Sequence, residues 1–146
     1  MPTTRNVEIL LVDDNIGDVV LTKEALSEAD STNRVSIASD GIEALEFLRR
    51  KGKYPDAPRP DLILLDLNMP RKNGGEVLAE IRSDEDLKLI PVIVFTSSEA
   101  QDDIRLAYEL RANCFVTKPV DLDEMVKVVQ SINNFWTSIA KLPRHN

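Results

Sequence analysis

Val7-Glu8-Ile9-Leu10-Leu11-Val12-Asp13-Asp14 and Leu62-Ile63-Leu64-Leu65-Asp66 decide the fold. Each stretch is a short run rich in Val, Ile and Leu that ends abruptly in aspartate, which is the pattern of a buried strand delivering a carboxylate at its carboxyl end. Three further runs, Val35 to Ala38, Pro91 to Phe95 and Cys114 to Thr117, read as strands in the same way. Between them, apolar residues recur at spacings of three and four, as in Val20, Leu21, Ala25, Leu26 and Ala29, or Ala44, Leu45, Phe47 and Leu48, which fits amphipathic helices.

Strands alternating with helices predict an α/β fold with a parallel sheet covered by helices on both faces. The uniformly apolar third and fourth strands suit its centre, and the Val35-Ser36-Ile37 alternation suits an edge. With right-handed crossovers, the expectation is a flavodoxin-like, doubly wound five-stranded sheet ordered 2-1-3-4-5. Ligands of such sheets bind beyond the carboxyl ends of the strands where the winding reverses, here between strands one and three. Asp13, Asp14 and Asp66 leave those two strands, while Thr96 and Lys118 end strands four and five at the same edge.

Carboxylates gathered there conflict: two of them about 4 Å apart repel by about 1 kcal/mol in water and about 4 kcal/mol at an effective dielectric of about 20. A divalent cation resolves the conflict, and an all-oxygen, partly open site suits Mg²⁺. Asp66 can then act as a nucleophile towards a phosphoryl group, with the Lys118 ammonium and the Thr96 hydroxyl binding its oxygens. Taken singly, each residue has a plainer reading. Asp13, Asp14 or Asn15 could cap the following helix, Thr96-Ser97-Ser98-Glu99 resembles a helix start, and Lys118 alone would be a surface lysine. Asp66 is no cap, because the turn-rich Asn68, Pro70, Asn73, Gly74 and Gly75 precede the next helix.

Composition narrows the function classes. A length of 146 residues fits one domain, 1–146, with its core over about 6–140 and a short tail that leaves no room for an output domain. Eighteen Lys plus Arg against 25 Asp plus Glu give a net charge of −7, which opposes nucleic-acid binding. No stretch is long and apolar enough for a membrane, no leader is evident, and the single cysteine, Cys114, forms no internal disulfide, so the expected compartment is the cytoplasm. His145 is the only imidazole and has no cluster of metal-ligating neighbours.

Asp13-Asp14, Leu64-Leu65-Asp66-Leu67-Asn68-Met69-Pro70 with Gly74, Thr96-Ser97 and Lys118-Pro119, in this order, resemble the receiver domain of two-component response regulators. The resemblance covers nearly the whole chain. It implies that Asp66 takes a phosphoryl group from the phosphohistidine of a histidine kinase, and that Asp14, Asp66 and the backbone carbonyl of Asn68 ligate Mg²⁺, with Asp13 assisting indirectly. Thr96 and Lys118 would bind the phosphoryl oxygens, and Phe115 would be the aromatic that turns inward as Thr96 moves; on the residues alone, Phe115 is an ordinary core aromatic. Asn68 and Ser98 occupy positions that influence the lifetime of the phosphoryl group, and neither supplies a strong acid or base. The family usually has a cis bond at the step corresponding to Lys118-Pro119. By the resemblance the protein is a signalling switch and no enzyme beyond its own phosphorylation and dephosphorylation.

The departures carry information too. Lys51 to Pro60 is a Pro-rich extension, expected to be an ordered surface loop. The last helix, expected from Leu122 towards Ala140, has one apolar row at Leu122, Met125, Val126 and Val129 and another at Val128, Ile132, Phe135 and Ile139, beside Trp136. One row covers the sheet, and the second needs either the carboxyl tail or a partner. Receivers commonly dimerise through helix four, strand five and helix five. Tyr108-Glu109-Leu110, Asn113-Cys114-Phe115 and Phe135-Trp136 are similar to the pattern of regulators partnered with bacterial phytochrome kinases. Two enzyme or carrier readings fail. A haloacid-dehalogenase-like phosphatase wants an aspartate where Asn68 stands, and a flavin or nucleotide carrier wants a phosphate-cradling loop where Asp13-Asp14-Asn15-Ile16-Gly17-Asp18 is anionic. A receiver-like interaction module that takes no phosphoryl group is the remaining alternative, and the full acidic, Thr and Lys set argues against it.

Overall fold

The computed structural model describes residues 7–143, so His145 lies outside the described residues. Five strands, β1 (Glu8–Val12), β2 (Arg34–Ala38), β3 (Leu62–Leu65), β4 (Val92–Thr96) and β5 (Cys114–Thr117), alternate with α1 (Ile16–Ala29), α2 (Gly41–Arg49), α3 (Gly74–Ser83), α4 (Gln101–Glu109) and α5 (Leu122–Asn134). All strand pairs are parallel and the order is β2-β1-β3-β4-β5, as the pattern predicts. Pro91 stands just outside β4 and Thr96 is its last residue. The central strands β3 and β4 are buried throughout, because helices cover both of their faces.

Alternate side chains feed two cores. Leu10, Val12, Ile63, Leu65, Val92 and Val94 pack with Leu45, Leu48, Val77, Leu78 and Ile81 of α2 and α3. On the opposite face, Ile9, Leu11, Leu62, Leu64, Ile93 and Phe95 pack with Ala25 and Leu26 of α1 and Met125, Val129 and Ile132 of α5. The two helices of this second face are also tied by a buried amide pair. Asn33 Nδ2 donates to Leu26 O and to Asn133 Oδ1, at 2.9 and 2.7 Å.

The last helix departs from expectation in two ways. Its buried residues are Met125, Val129, Ile132 and Asn133, whereas Leu122 is 70 % exposed and covers nothing. The α-helix also stops at Asn134, and Phe135–Ile139 forms a π-helical turn closed by the Ala140 N–H on Phe135 O. The Thr137 hydroxyl takes the Asn133 carbonyl at 2.7 Å, competing for the acceptor that a regular turn would use. One other sequence reading also changes, and the isomer of the Lys118-Pro119 bond, which sequence leaves open, is settled. Thr96-Ser97-Ser98-Glu99 starts no helix, since α4 opens at Gln101 behind Ala100 and has no side-chain cap. Every peptide bond among the described residues is trans, Lys118-Pro119 included.

The Pro-rich loop is ordered by two guanidiniums: Arg50 Nε donates to Ala57 O and Arg59 Nη1 to Leu48 O. Tyr54 from the same loop packs edge-on to Phe47 with ring centroids 5.3 Å apart. At the amino ends of β4 and β5, Arg82 acts as a clamp. It donates to the carbonyls of Arg111, Lys88 and Ile90 and to Asn113 Oδ1, which in turn accepts the Val92 N–H at 2.8 Å.

Candidate functional site

The carboxyl ends of β1 and β3 lie side by side, with Val12 in register with Leu65, so the residues that follow share one depression. Oxygens of Asp13, Asp14 and Asp66 all come within 4.8 Å of one another. Asp13 and Asp66 are buried, whereas Asp14 is exposed, so the cluster opens to solvent on the Asp14 side. The backbone fixes the two buried carboxylates: Asp13 Oδ1 accepts the Asn15 N–H at 2.9 Å and Asp66 Oδ1 the Asn68 N–H at 3.3 Å. Of the three candidate caps, Asn15 is the one that caps α1, its side chain accepting the Asp18 N–H.

Lys118, just past β5, reaches across the sheet edge. Its Nζ lies 2.6 Å from Asp13 Oδ2, 3.0 Å from Asp18 Oδ2 and 3.3 Å from Asp66 Oδ2. Burial by itself would push this ammonium down, but the hydrogen bonds it donates to Asp13 and Asp18 and the charges of Asp66 and Asp13 outweigh it and hold Lys118 above its ordinary value. Lys118 is therefore a cation at any physiological pH. Burial, with a smaller push from the Asp66 charge, raises the Asp13 carboxyl although Lys118, which it shares with Asp18 and Asp66, and the Asn15 N–H act the other way. Thr96 is fully buried at the end of β4, and its hydroxyl has no hydrogen-bond partner. A buried orphan hydroxyl costs free energy that only a further acceptor would recover.

The loop after β3 is built for close approach. Asn73 and Glu76 form a reciprocal capping box at the start of α3, which confirms that Asp66 caps nothing. A Cβ on Gly74 would stand 2.3 Å from Asp66 O, so only glycine lets α3 begin against the backbone of the acidic residue. Arg71 holds the same loop to α2 through Asp40, with Nη2 and Nε 2.6 and 2.8 Å from Oδ2.

The structure thus brings together Asp13, Asp14, Asp66 and Lys118 and ends the adjacent strand with Thr96. Asn68 is exposed and meets the site through its N–H on Asp66. Phe115 is half-buried against the α2–α3 core, and its N–H donates to the Tyr108 hydroxyl at 3.3 Å. Sequence reasoning missed Asp18 as a partner of Lys118. The signal was present in Asn15-x-x-Asp18, the spacing of a helix cap and its third residue, which aims Asp18 back over the first turn. It also missed the local hydrogen bond of the Ser98 hydroxyl on Asp103 and that of the Thr117 hydroxyl on Ser98 O, which joins two different strand exits.

The chain matches the family model described as "Response regulator receiver domain" over residues 9–130. It is 47 % identical over 135 residues to the response regulator Rcp1 of Synechocystis sp. (strain ATCC 27184 / PCC 6803 / Kazusa), covering 92 % of each chain. It is also similar in structure to a phosphorylated cyanobacterial phytochrome response regulator, RcpA, with a TM-score of 0.92, 47 % identity and coverage of 95 % of this chain and 99 % of that one. A Mn²⁺-bound form of Rcp1 gives a TM-score of 0.90 at 46 % identity, covering 94 % and 99 %. Fold, motif order and relatives agree: this chain belongs to the response regulator receiver family, and it is a response regulator homologous to phytochrome-associated regulators.

Proposed function

We propose that Asp66 is the phosphoacceptor of a Mg²⁺-dependent phosphoryl switch, charged by a histidine kinase. The observation that carries this reading is the Lys118 ammonium 3.3 Å from Asp66 within a cluster of three carboxylates. An oxygen of Asp66 attacks the phosphorus of a phosphohistidine, the P–N bond breaks, the imidazole leaves and an acyl phosphate remains. Asp13, Asp14 and Asp66 offer the hard oxygen set that a small dication takes, and the exposed side at Asp14 leaves room for its waters. Asp14 and Asp66, with the Asn68 carbonyl, are the direct ligands in this reading and Asp13 the indirect one. When bound, Mg²⁺ neutralises carboxylate and phosphoryl oxygens. Lys118 donates to one phosphoryl oxygen, and the orphan Thr96 hydroxyl donates to another.

The signal leaves through the neighbouring face. Thr96 moving towards the phosphoryl group vacates space near β5, into which Phe115 turns. α4 is the element best placed to respond, since Ala107 is its one buried residue. The face of α4, β5 and α5 also exposes Leu106, Tyr108, Phe135 and Ile139, with Phe135 and Trp136 edge-to-face at 5.4 Å. A second copy of the chain covers these side chains in the proposed homodimer.

A kinase must bring its histidine to Asp66, and the rim of the site is apolar. Ile16, Val20, Val120 and Leu122 are 81 %, 52 %, 101 % and 70 % exposed, on α1 and around the start of α5. The relatives named as phytochrome response regulators make a phytochrome-type histidine kinase the proposed donor. No helix among the described residues is long and apolar enough to cross a membrane, and the charge of −7 opposes nucleic acid, so protein contact in the cytoplasm is the proposed route.

Acetyl phosphate with Mg²⁺ is expected to add one phosphoryl group to the intact protein, seen by mass spectrometry, and Asp66→Asn to abolish the gain. An unmodified wild type under those conditions leaves the non-phosphorylated interaction module as the better reading. Sedimentation of wild type and Phe135→Asp tests the dimer, and a wild type that is monomeric at every concentration, phosphorylated or not, overturns it.

A further inference from the structure

Asp18 stands apart from the other acids around Lys118. The three carboxylates that share a dication-sized space are Asp13, Asp14 and Asp66, and Asp18 is not among them. Yet its Oδ2 is 3.0 Å from Lys118 Nζ, closer than Asp66 Oδ2. Asp18 is also fixed from its own side. It occupies the first turn of α1, where its N–H is held at 2.9 Å by the Asn15 side chain and where a negative charge is favoured by the helix dipole.

We infer that Asp18 is the positioning residue of Lys118: it keeps the ammonium at the phosphoryl site when the other carboxylates are drawn away from it. Lys118 has three N–H donors, and they meet Asp13, Asp18 and Asp66. Two of those partners are needed elsewhere during the proposed reaction. Asp66 spends one oxygen on phosphorus, and Asp13 belongs to the cation cluster. A dication in that cluster repels the ammonium as well. Lys118 would then be pushed away from the site unless an anion outside the cluster holds it, and Asp18 is the one carboxylate in contact that has no other task. Its side chain is 33 % accessible against 4 % for Lys118, so it approaches from the solvent side and closes the ammonium in.

This inference rests on the reading of Asp66 as phosphoacceptor, and the two fail separately. In the full chain, the side-chain ¹H–¹⁵N signal of the Lys118 ammonium, assigned through Lys118→Arg, is expected to be protected from solvent exchange in wild type with Mg²⁺ and lost in Asp18→Asn and Asp18→Ala. With acetyl phosphate as donor, the maximal rate of phosphorylation is expected to fall at least tenfold in both variants. The half-saturating donor concentration and the Mn²⁺ affinity, read by electron paramagnetic resonance, are expected to stay within twofold, and Asp18→Glu is expected to recover part of the rate. A retained Lys118 signal with a maximal rate within twofold of wild type overturns the inference, because Asp18 would then be an ordinary first-turn acid. A parallel loss of Mn²⁺ affinity overturns it too, because Asp18 would belong to the cation set. A wild type that gains no phosphoryl group overturns the parent reading instead, whatever the variants do.

Discussion

The Thr117 hydroxyl donates to the carbonyl of Ser98 at 3.1 Å, joining the residue before Lys118 to the second residue after Thr96. The strands β4 and β5, which lead to Thr96 and Lys118, are therefore latched to each other just beyond the sheet. Ser98 is held a second time, by its own hydroxyl on Asp103 of α4.

Thr117→Val removes the latch while keeping the shape of the side chain. One neutral hydrogen bond contributes about 0.5–1.5 kcal/mol, so urea unfolding should show a loss of that order. The stronger signature is local. Amides from Ser98 to Ala100 should exchange with solvent faster in the variant, and unchanged exchange there would mean that the loop is held by Asp103 alone.

Gly74→Ala places a methyl group 2.3 Å from Asp66 O and 2.8 Å from Leu67 Cα, both backbone atoms that cannot swing aside. Overpacking of this kind typically costs about 1–3 kcal/mol, measurable as a shift of the denaturation midpoint. Phosphorylation by acetyl phosphate should slow as well, since relief of the clash displaces the segment between Asp66 and Asn73. A variant with wild-type stability and rate would show that α3 can start elsewhere.

Acid should unfasten the loop after β3 through Asp40. Burial raises this carboxyl, but the Glu43 N–H and the Arg71 guanidinium outweigh it, and the net shift is downward. A carboxyl lowered in the folded state contributes stability that is present above its ordinary value of about 4 and is lost as pH falls through the lower folded value. Glu80, lowered first by its hydrogen bond from Lys72, acts in the same direction. Arg71→Ala should be less stable than wild type at pH 7, and the two urea midpoints should converge as pH falls below the ordinary carboxyl value of about 4. A constant gap between them would place the contribution of Arg71 in packing and not in charge.

Alkali should reveal Tyr54. Burial, followed by the Glu43 carboxylate beside its hydroxyl and the charges of Glu46 and Asp40, pushes the phenol up to about 12. A group raised in the folded state contributes stability that is full below its ordinary value of about 10 and disappears as pH rises through the folded value. Titration followed at 295 nm should show a late tyrosinate step near pH 12 in wild type that is absent in Tyr54→Phe. Persistence of the step in the variant would assign it to another group.

The sheet order and the convergence of Asp13, Asp14, Asp66, Thr96 and Lys118 at its edge were legible because both depend on short-range patterns. A period-free apolar run marks a buried strand, and the residue after it marks the edge. What stayed hidden depends on competition between neighbours. Leu122 has the spacing of a core residue and is exposed, because the buried row is continued by Met125, Val129 and Ile132. The π-helical turn at Phe135 coincides with the Thr137 hydroxyl bonding the Asn133 carbonyl of the helix ladder, and no hydropathy pattern records that. Asp18 reads as a helix-turn acid until Lys118 arrives from a hundred residues away.

The Arg82 clamp gives β4 and β5 a fixed end. Four donors of one guanidinium group secure the turns through which both strands enter the sheet, while beyond their exits come Ser98, Thr117 and the lightly seated α4. Two planks bolted at one end move most at the other, so in the proposed switch a small pull on Thr96 would become a tilt whose lever arm is the length of the strand. Arg82 would in that sense be the fulcrum of the proposed switch, its contacts confined to the turns at Lys88, Ile90, Arg111 and Asn113, away from the acids.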